Sequence, residues 1–295
     1  MKYAIVVDSS SALTREEAQR LGWYYLPLHI NIDGKEYRDG VDLTSKNLFE
    51  YYTKDAEVKT SSINPGEAYS LFEQLSKEYD KIIVYPISKY LSGTCQALTS
   101  LAAEFPKVRV VQSKQIVELI LLDLFDFDLK MKNDPSKFDQ YIKDIENKGF
   151  EYSITLIPKY NKYLVKGGRL HPSAALIAKM LSIVPLITFQ NGQLLKEGTG
   201  RVFKKSVIKN IHSKLDVFDK DENSLLVYLH SGALEEDSKE FIEEFVNVFG
   251  EEPLVRYIAP VVAIHTGPES YVGVRIKINK ELKNAFLTFL KQINN

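Results

Sequence analysis

Short apolar runs alternate with capped helical stretches through the first half of this chain, an order that restricts it to folds built on a largely parallel sheet. Tyr3–Val7 reads as a short buried strand that ends in the polar turn Asp8-Ser9-Ser10-Ser11. Thr14 followed three residues later by Glu17 is a capping-box signal for a helix near 14–21. The apolar stretch Trp23–Ile32 ends in Asp33-Gly34, a hairpin-type turn, with Lys35–Arg38 as the return strand. A short helix is expected near Ser45–Tyr52, and Val58–Ser61 reads as a strand end or extended loop. Asn64-Pro65-Gly66-Glu67 then carries a strong helix start, because Asn caps, Pro pre-sets the first turn and Glu favours the positive end. Ala68, Leu71, Phe72, Leu75 and Tyr79 put one apolar face on that helix. Ile82–Ile87 is the next strand, Ser92 opens another helix, and Val108–Val111 is a further strand. A helical stretch follows, and the charged segment Lys130–Lys137 separates it from a helix near 136–148.

The second half is organised differently. Ser153–Ile157 reads as a strand, Gly167-Gly168 as a turn, Pro172–Leu181 as a helix, and Ile183–Phe189 as a strand turning at Asn191-Gly192. Leu225–Leu229 and Ile258–Ile264 read as buried strands, with a helix near 234–249 between them. Tyr271–Ile278 is a late strand and a helix closes the chain. The expected organisation is an α/β lobe over residues 1–150, a mostly parallel sheet flanked by helices, and a second α/β lobe over 151–295.

Composition excludes several functions. A net charge of −1 over 295 residues lacks the basic excess of a general nucleic-acid binder. The single cysteine, Cys95, leaves no intrachain disulfide or multi-cysteine metal site and suits a reducing compartment. The longest apolar patch, Ile116–Leu129, is cut by Glu118, Asp123, Asp126 and Asp128, whereas a membrane span needs about 20 apolar residues. A cytoplasmic protein is expected, with transient membrane contact still open to it. No P-loop, GxGxxG after a strand, HExxH or GxSxG occurs.

Two segments carry the strongest chemistry. Thr60-Ser61-Ser62 precedes a well-capped helix, and Ser92-Gly93-Thr94 opens another directly after a buried strand. Each supplies hydroxyls and backbone N–H groups without intrahelical partners at the positive end of a helix dipole, the ingredients of an anion site. Taken singly, each is an ordinary cap or turn; the pairing is what points to a ligand. Asp8 ends a first strand as a phosphoacceptor would, although Asx hydrogen bonding in a turn accounts for it equally. His265, beside the Gly267-Pro268 turn, and the cations Arg169 and Arg201 are candidates for anion contacts, each otherwise a structural or surface residue. The chain is strongly apolar from Leu176 to Ile187, mostly as core, with a surplus available to line a pocket.

Taken in order, Asp8-Ser9-Ser10-Ser11, Tyr37-Arg38-Asp39-Gly40-Val41-Asp42, Thr60-Ser61 with Pro65-Gly66-Glu67, Leu91-Ser92-Gly93-Thr94, Gly167-Gly168-Arg169-Leu170 and His265-Thr266-Gly267-Pro268 closely resemble the DegV family of bacterial fatty-acid-binding proteins. The resemblance implies a two-lobed fold with one long-chain fatty acid between the lobes. It implies a carboxylate held by Thr60 and Ser92, helped by Ser61, the amides of Gly93 and Thr94, and His265. Arg169 and Arg201 would lie near the mouth or meet a partner. Leu164, Ile177, Met180, Leu181 and Ile183 would line the tunnel. It also implies a non-catalytic role without cofactor or metal: the chain would present the carboxylate to an ATP-dependent fatty acid kinase subunit, and the acyl phosphate would feed phospholipid synthesis. The alternatives are a free-standing enzyme acting on a small acidic or phosphorylated metabolite through Asp8 or His265, and a lipid-sensing regulator. Two departures stand out. The segment Ser113–Ile120 is bulky where the family carries small residues, and Glu269 follows Pro268 where glycine is expected.

Overall fold

The computed structural model describes residues 1–53, 55–179, 183–218 and 223–294. The chain divides into two compact units, one of residues 1–149, 259–261 and 285–295, the other of residues 150–258 and 262–284. The sequence reading, which gave all of 151–295 to one lobe, did not anticipate the two late returns to the first unit.

In the first unit, strands β1 (Tyr3–Asp8), β2 (Tyr24–Leu26), β6 (Lys81–Tyr85) and β7 (Val108–Val110) form a parallel sheet in the order β2-β1-β6-β7. A second, antiparallel sheet is made of β3 (His29–Ile32), β4 (Lys35–Arg38) and β5 (Val58–Ser61), in the order β4-β3-β5. The apolar stretch Trp23–Ile32 therefore supplies two strands, one to each sheet. Pro27 sits at the break, where it has no N–H to give to a ladder. The hairpin at Asp33-Gly34 forms as expected, both residues holding positive φ (51° and 85°), the backbone twist that joins antiparallel strands tightly.

Helix starts follow their caps. Thr14 and Glu17 make the reciprocal capping box of helix Arg15–Arg20. The Asn64 side chain accepts from the amides of Gly66 and Glu67 at the start of helix Pro65–Glu78, which buries Ala68, Phe72 and Leu75. Helix Glu118–Asn133 runs through the first part of the charged segment expected to interrupt it. The charges tolerate helix because Lys130 and Lys132 pair with Asp126 and Asp128 one turn earlier.

The second unit contains β8 (Tyr152–Ile157), β9 (Val184–Gln190), β10 (Gln193–Gly200), β11 (Ser224–His230), β12 (Leu254–Tyr257) and β13 (Tyr271–Lys277) in one mixed sheet, ordered β10-β9-β8-β13-β11-β12. Neighbouring residues of β8 and β13 point to opposite faces. Ile157 and Tyr271 join Val207, Ile211, Phe241 and Phe245 from helices Phe203–Ser213 and Glu235–Phe249. Leu156 and Val272 join Leu164, Ala174 and Ile177 from helices Asn161–Gly167 and Pro172–Ala178. The first of these faces also holds a buried polar seam. Lys214 is 1% exposed and donates to Ser153 Oγ (2.8 Å) and Thr155 Oγ1 (2.7 Å), while Thr155 donates to Glu197 (2.7 Å). Burial pushes its ammonium down to about 8.

One element differs in kind from expectation. Ile258–Ile264 is not a strand: helix Pro260–Thr266 occupies its place. A short, continuously apolar run fits either structure. Pro260 decides it, since proline suits the first turn of a helix and deprives a central strand of a hydrogen bond.

Candidate functional site: a hydroxyl cluster at a helix start

β5 fixes the first set of candidates by alternation. Val58 is buried and Thr60, on the same face, is half-buried; Lys59 and Ser61 point the other way and are exposed. Ser62 lies just past the strand end. Its Oγ is 3.0 Å from Thr94 Oγ1, which in turn is 2.8 Å from Ser92 Oγ. Thr94 is fully buried at the start of helix Thr94–Ala102, with Gly93 exposed as the capping residue. Ser92 Oγ also accepts from the Thr94 amide (3.2 Å), so it satisfies one N–H of the first turn.

The structure thus brings Ser62, Ser92 and Thr94 into direct hydrogen-bond contact. The sequence reading singled out Ser92 and Thr94 but chose Thr60 and Ser61 over Ser62. The end of β5 decides between them, because Ser61 faces outward from the strand and Ser62 lies past its register. The cluster has a simple proton inventory. Three hydroxyls carry three protons and share two contacts, so one O–H remains to donate elsewhere. A set of neutral donors at a helix N-terminus is suited to an anion.

Asp8 is 1% exposed and bonded through both oxygens. Oδ1 accepts from the amide and hydroxyl of Ser10, and Oδ2 accepts from the Ile87 amide (2.7 Å). Burial raises its carboxyl to about 6 against these bonds. It holds the turn after β1 to the end of β6, the work of a structural carboxylate and not of an exposed nucleophile. Asp39 is also buried, with Oδ2 accepting from the Val261 amide at 3.3 Å; burial pushes it up to about 8, against bonds from Ser9 and Val261. Sequence reading placed Asp39 only within a family motif and gave no sign of its burial.

In the second unit, His265 occupies the last turn of helix Pro260–Thr266, not a strand end as the sequence suggested. Its imidazole lies against Gly167: a Cβ there would meet Nδ1 at 2.8 Å and the His265 Cβ at 3.1 Å. Arg169 donates from Nη1 to the Gly167 carbonyl (2.6 Å). Burial and the Arg169 guanidinium drive the His265 imidazole down to about 4, so it is neutral at physiological pH. The fold therefore gathers Arg169 and His265 around Gly167. Arg201 is exposed beyond the end of β10. Leu164 and Ile177 belong to one apolar cluster with Leu156, Ala174 and Ile187, and Ile183 packs on its edge. Met180 and Leu181 lie outside the described residues. In the bulky segment, Val117 adopts φ 48° and its amide donates to Ser10 O (3.0 Å) before helix Glu118–Asn133 begins. Among the described residues, no group of three or more His, Cys, Asp or Glu side chains is placed to hold a metal ion, and no helix is long and apolar enough to cross a membrane.

A parallel-sheet α/β unit joined to a mixed-sheet α/β unit is an arrangement with known counterparts. The DegV family model, described as an uncharacterised protein family, matches residues 2–276, and the chain belongs to that family. A DegV domain-containing protein of Mycoplasmopsis pulmonis is 42% identical over 284 residues, 96% of this chain and 97% of the relative. Among solved structures, the chain is similar to DegV, a fatty acid binding protein from Bacillus subtilis (TM-score 0.82, 22% identity, 94% of this chain and 100% of that one). It is similar also to a stearic acid-binding protein from Eubacterium ventriosum (TM-score 0.77, 24% identity, 93% of this chain and 98% of that one). At these identities the two structures establish the fold.

Proposed function

We propose that this protein binds a long-chain fatty acid and presents its carboxylate to a separate ATP-dependent kinase subunit. The observation that carries the proposal is the Ser62–Thr94–Ser92 hydroxyl cluster, with an O–H to spare beside the first turn of a helix. Structural relatives named for fatty acid and stearic acid binding supply the ligand class.

A fatty acid's carboxyl titrates near that of Glu, about 4.3, and is ionised at neutral pH. Burying it without donors would cost several kcal/mol. Hydroxyls and first-turn amides offset that cost without neutralising the charge, so the oxygen stays nucleophilic. In the reaction, a carboxylate oxygen attacks the γ-phosphorus of ATP, the bond to the β-phosphate oxygen breaks, and ADP leaves; the product is an acyl phosphate for phospholipid synthesis. The nucleotide chemistry belongs to the partner, and the chain itself needs no cofactor or metal. His265, packed against Gly167, whose carbonyl Arg169 engages, is a further candidate donor to an acid group. Each buried methylene of the acyl chain adds roughly 0.8 kcal/mol, so a long chain binds tightly with few polar contacts. The cytoplasm, where a soluble kinase and its ATP are found, is the setting.

The test is mass spectrometry of organic extracts from the purified protein, paired with Thr94→Val, which keeps the branched shape and deletes the hydroxyl. Wild type should carry a long-chain acid. The variant should hold it about tenfold or more weakly, since a hydrogen bond to a charged group contributes about 1.5–3 kcal/mol. Equal lipid retention and equal kinase-dependent phosphorylation by Thr94→Val and Ser92→Ala proteins would remove the assignment. ATP turnover by the purified chain alone would replace it with an enzyme.

A further inference from the structure

We infer that Glu269 is a positioning residue for His265, acting as a latch that ties the turn after the histidine to the start of helix Asn161–Gly167. The inference deepens the fatty-acid reading and rests on it for its effect on ligand release.

Glu269 stands at φ 56°, a left-handed conformation that costs any residue with a Cβ and that glycine adopts freely. A glutamate persists there only if its side chain gains something in return. Lys159 Nζ donates to Glu269 Oε2 (2.7 Å) and Tyr160 Oη donates to Oε1 (3.1 Å), so both carboxylate oxygens are taken. Its own amide donates to Ser231 O (2.8 Å). Lys159 is further held by Asp237 at 3.4 Å and lies over the Phe203 ring. Lys159 is thus held between Glu269, Asp237 and the Phe203 ring and is not a free lysine.

Tyr160 is the capping residue of helix Asn161–Gly167 and makes no side-chain cap bond there, which frees its hydroxyl for Glu269. The same helix grips the histidine turn at two further points. Gly167 packs on the His265 imidazole, and the Tyr163 ring fills the space where a Cβ on Gly267 would lie. Ser231 Oγ donates to Gly267 O, and the Ser270 amide donates to Ser231 Oγ (2.9 Å). His265 is thus clamped between a helix and a turn, and Glu269 closes the loop by joining the far side of the turn to the near end of the helix. Without it, the start of the helix loses its tie to the far side of the turn.

The experiment compares Glu269→Gln, Glu269→Gly and Lys159→Met with wild type, full chain throughout. Two readouts are taken: the NMR titration of the His265 imidazole, and the release rate of a bound fluorescent fatty acid into acceptor vesicles. The latch predicts that all three variants let water reach the imidazole, so its titration moves up from about 4 toward the ordinary histidine value. It predicts release about three- to tenfold faster, the scale of a partly buried ion pair. Glu269→Gly should do this with a smaller drop in the midpoint of thermal unfolding than Glu269→Gln, because relief of the left-handed strain offsets the lost ion pair. An ion pair that merely stabilised the fold would lower the midpoint and leave the imidazole where it is. An unmoved His265 titration in both Glu269→Gln and Lys159→Met overturns the latch whatever the ligand. Failure of wild type to bind any fatty acid overturns the proposed function and leaves the titration to decide the latch.

Discussion

Replacing Gly40 with alanine should lower stability by about 2–5 kcal/mol, the sum of left-handed strain and a disrupted buried hydrogen bond. Gly40 holds φ 69°. A Cβ there would overlap the Tyr25 hydroxyl and lie 2.9 Å from the Leu13 carbonyl oxygen, which is backbone and cannot swing away. That hydroxyl donates to Leu13 O (2.8 Å) and is 3.1 Å from Asp39 O, so it pins two loops from inside the first unit. The methyl group must displace the ring or the loop, and either strands buried carbonyls. Urea unfolding of the purified variant measures the loss. A change under about 1 kcal/mol would show that the loops around Tyr25 yield far more readily than close packing allows.

The second large effect is in pH dependence. Asp39 titrates near 8 in the folded chain against 3.8 for a free side chain, and Asp8 near 6. Both are raised, so the folded state holds protons the unfolded state has released. Their stabilising contribution is complete below about pH 4 and is lost as pH rises, through about 6 for Asp8 and about 8 for Asp39. Asp123, bonded to Tyr85 and raised by burial to about 7, acts in the same sense. Asp39→Asn resembles the protonated acid and cannot ionise. Relative to wild type it should gain about 2–4 kcal/mol between pH 5 and pH 8, whatever its fixed cost from a second amide proton. Denaturation curves at the two pH values supply the comparison. Parallel pH slopes for variant and wild type would mean that Asp39 is ionised in the fold.

Much of the fold was legible because local signals agreed with tertiary need. Thr14 with Glu17, Asn64 with Pro65, and Asp33-Gly34 each specify a backbone conformation by their own chemistry. The failures fall where that chemistry is silent. β10 lies at the edge of its sheet and buries none of its residues fully, so it lacks the apolar alternation that reveals a strand. Helix Asn161–Gly167 is short and its capping residue, Tyr160, makes no side-chain cap bond. Ile258–Ile264 is apolar throughout, which leaves only Pro260 to separate helix from strand. Of the hydroxyl cluster, Ser92 and Thr94 were legible because a helix start after a buried strand is a recognisable pattern. Ser62 could not be preferred over Ser61 without knowing where β5 ends, and the burial of Asp39 depends on packing that no local pattern encodes.

The cluster at Ser62, Ser92 and Thr94 is built from uncharged groups, and on the proposed function this fixes how its hold on a carboxylate would respond to the medium. A carboxylate gripped by lysine or arginine loosens as dissolved ions screen the pair. Dipoles in contact with their ligand hold through orientation at short range, where ions have no room to intervene. On that reading, occupancy by a fatty acid should change by less than about twofold between dilute buffer and half-molar potassium chloride.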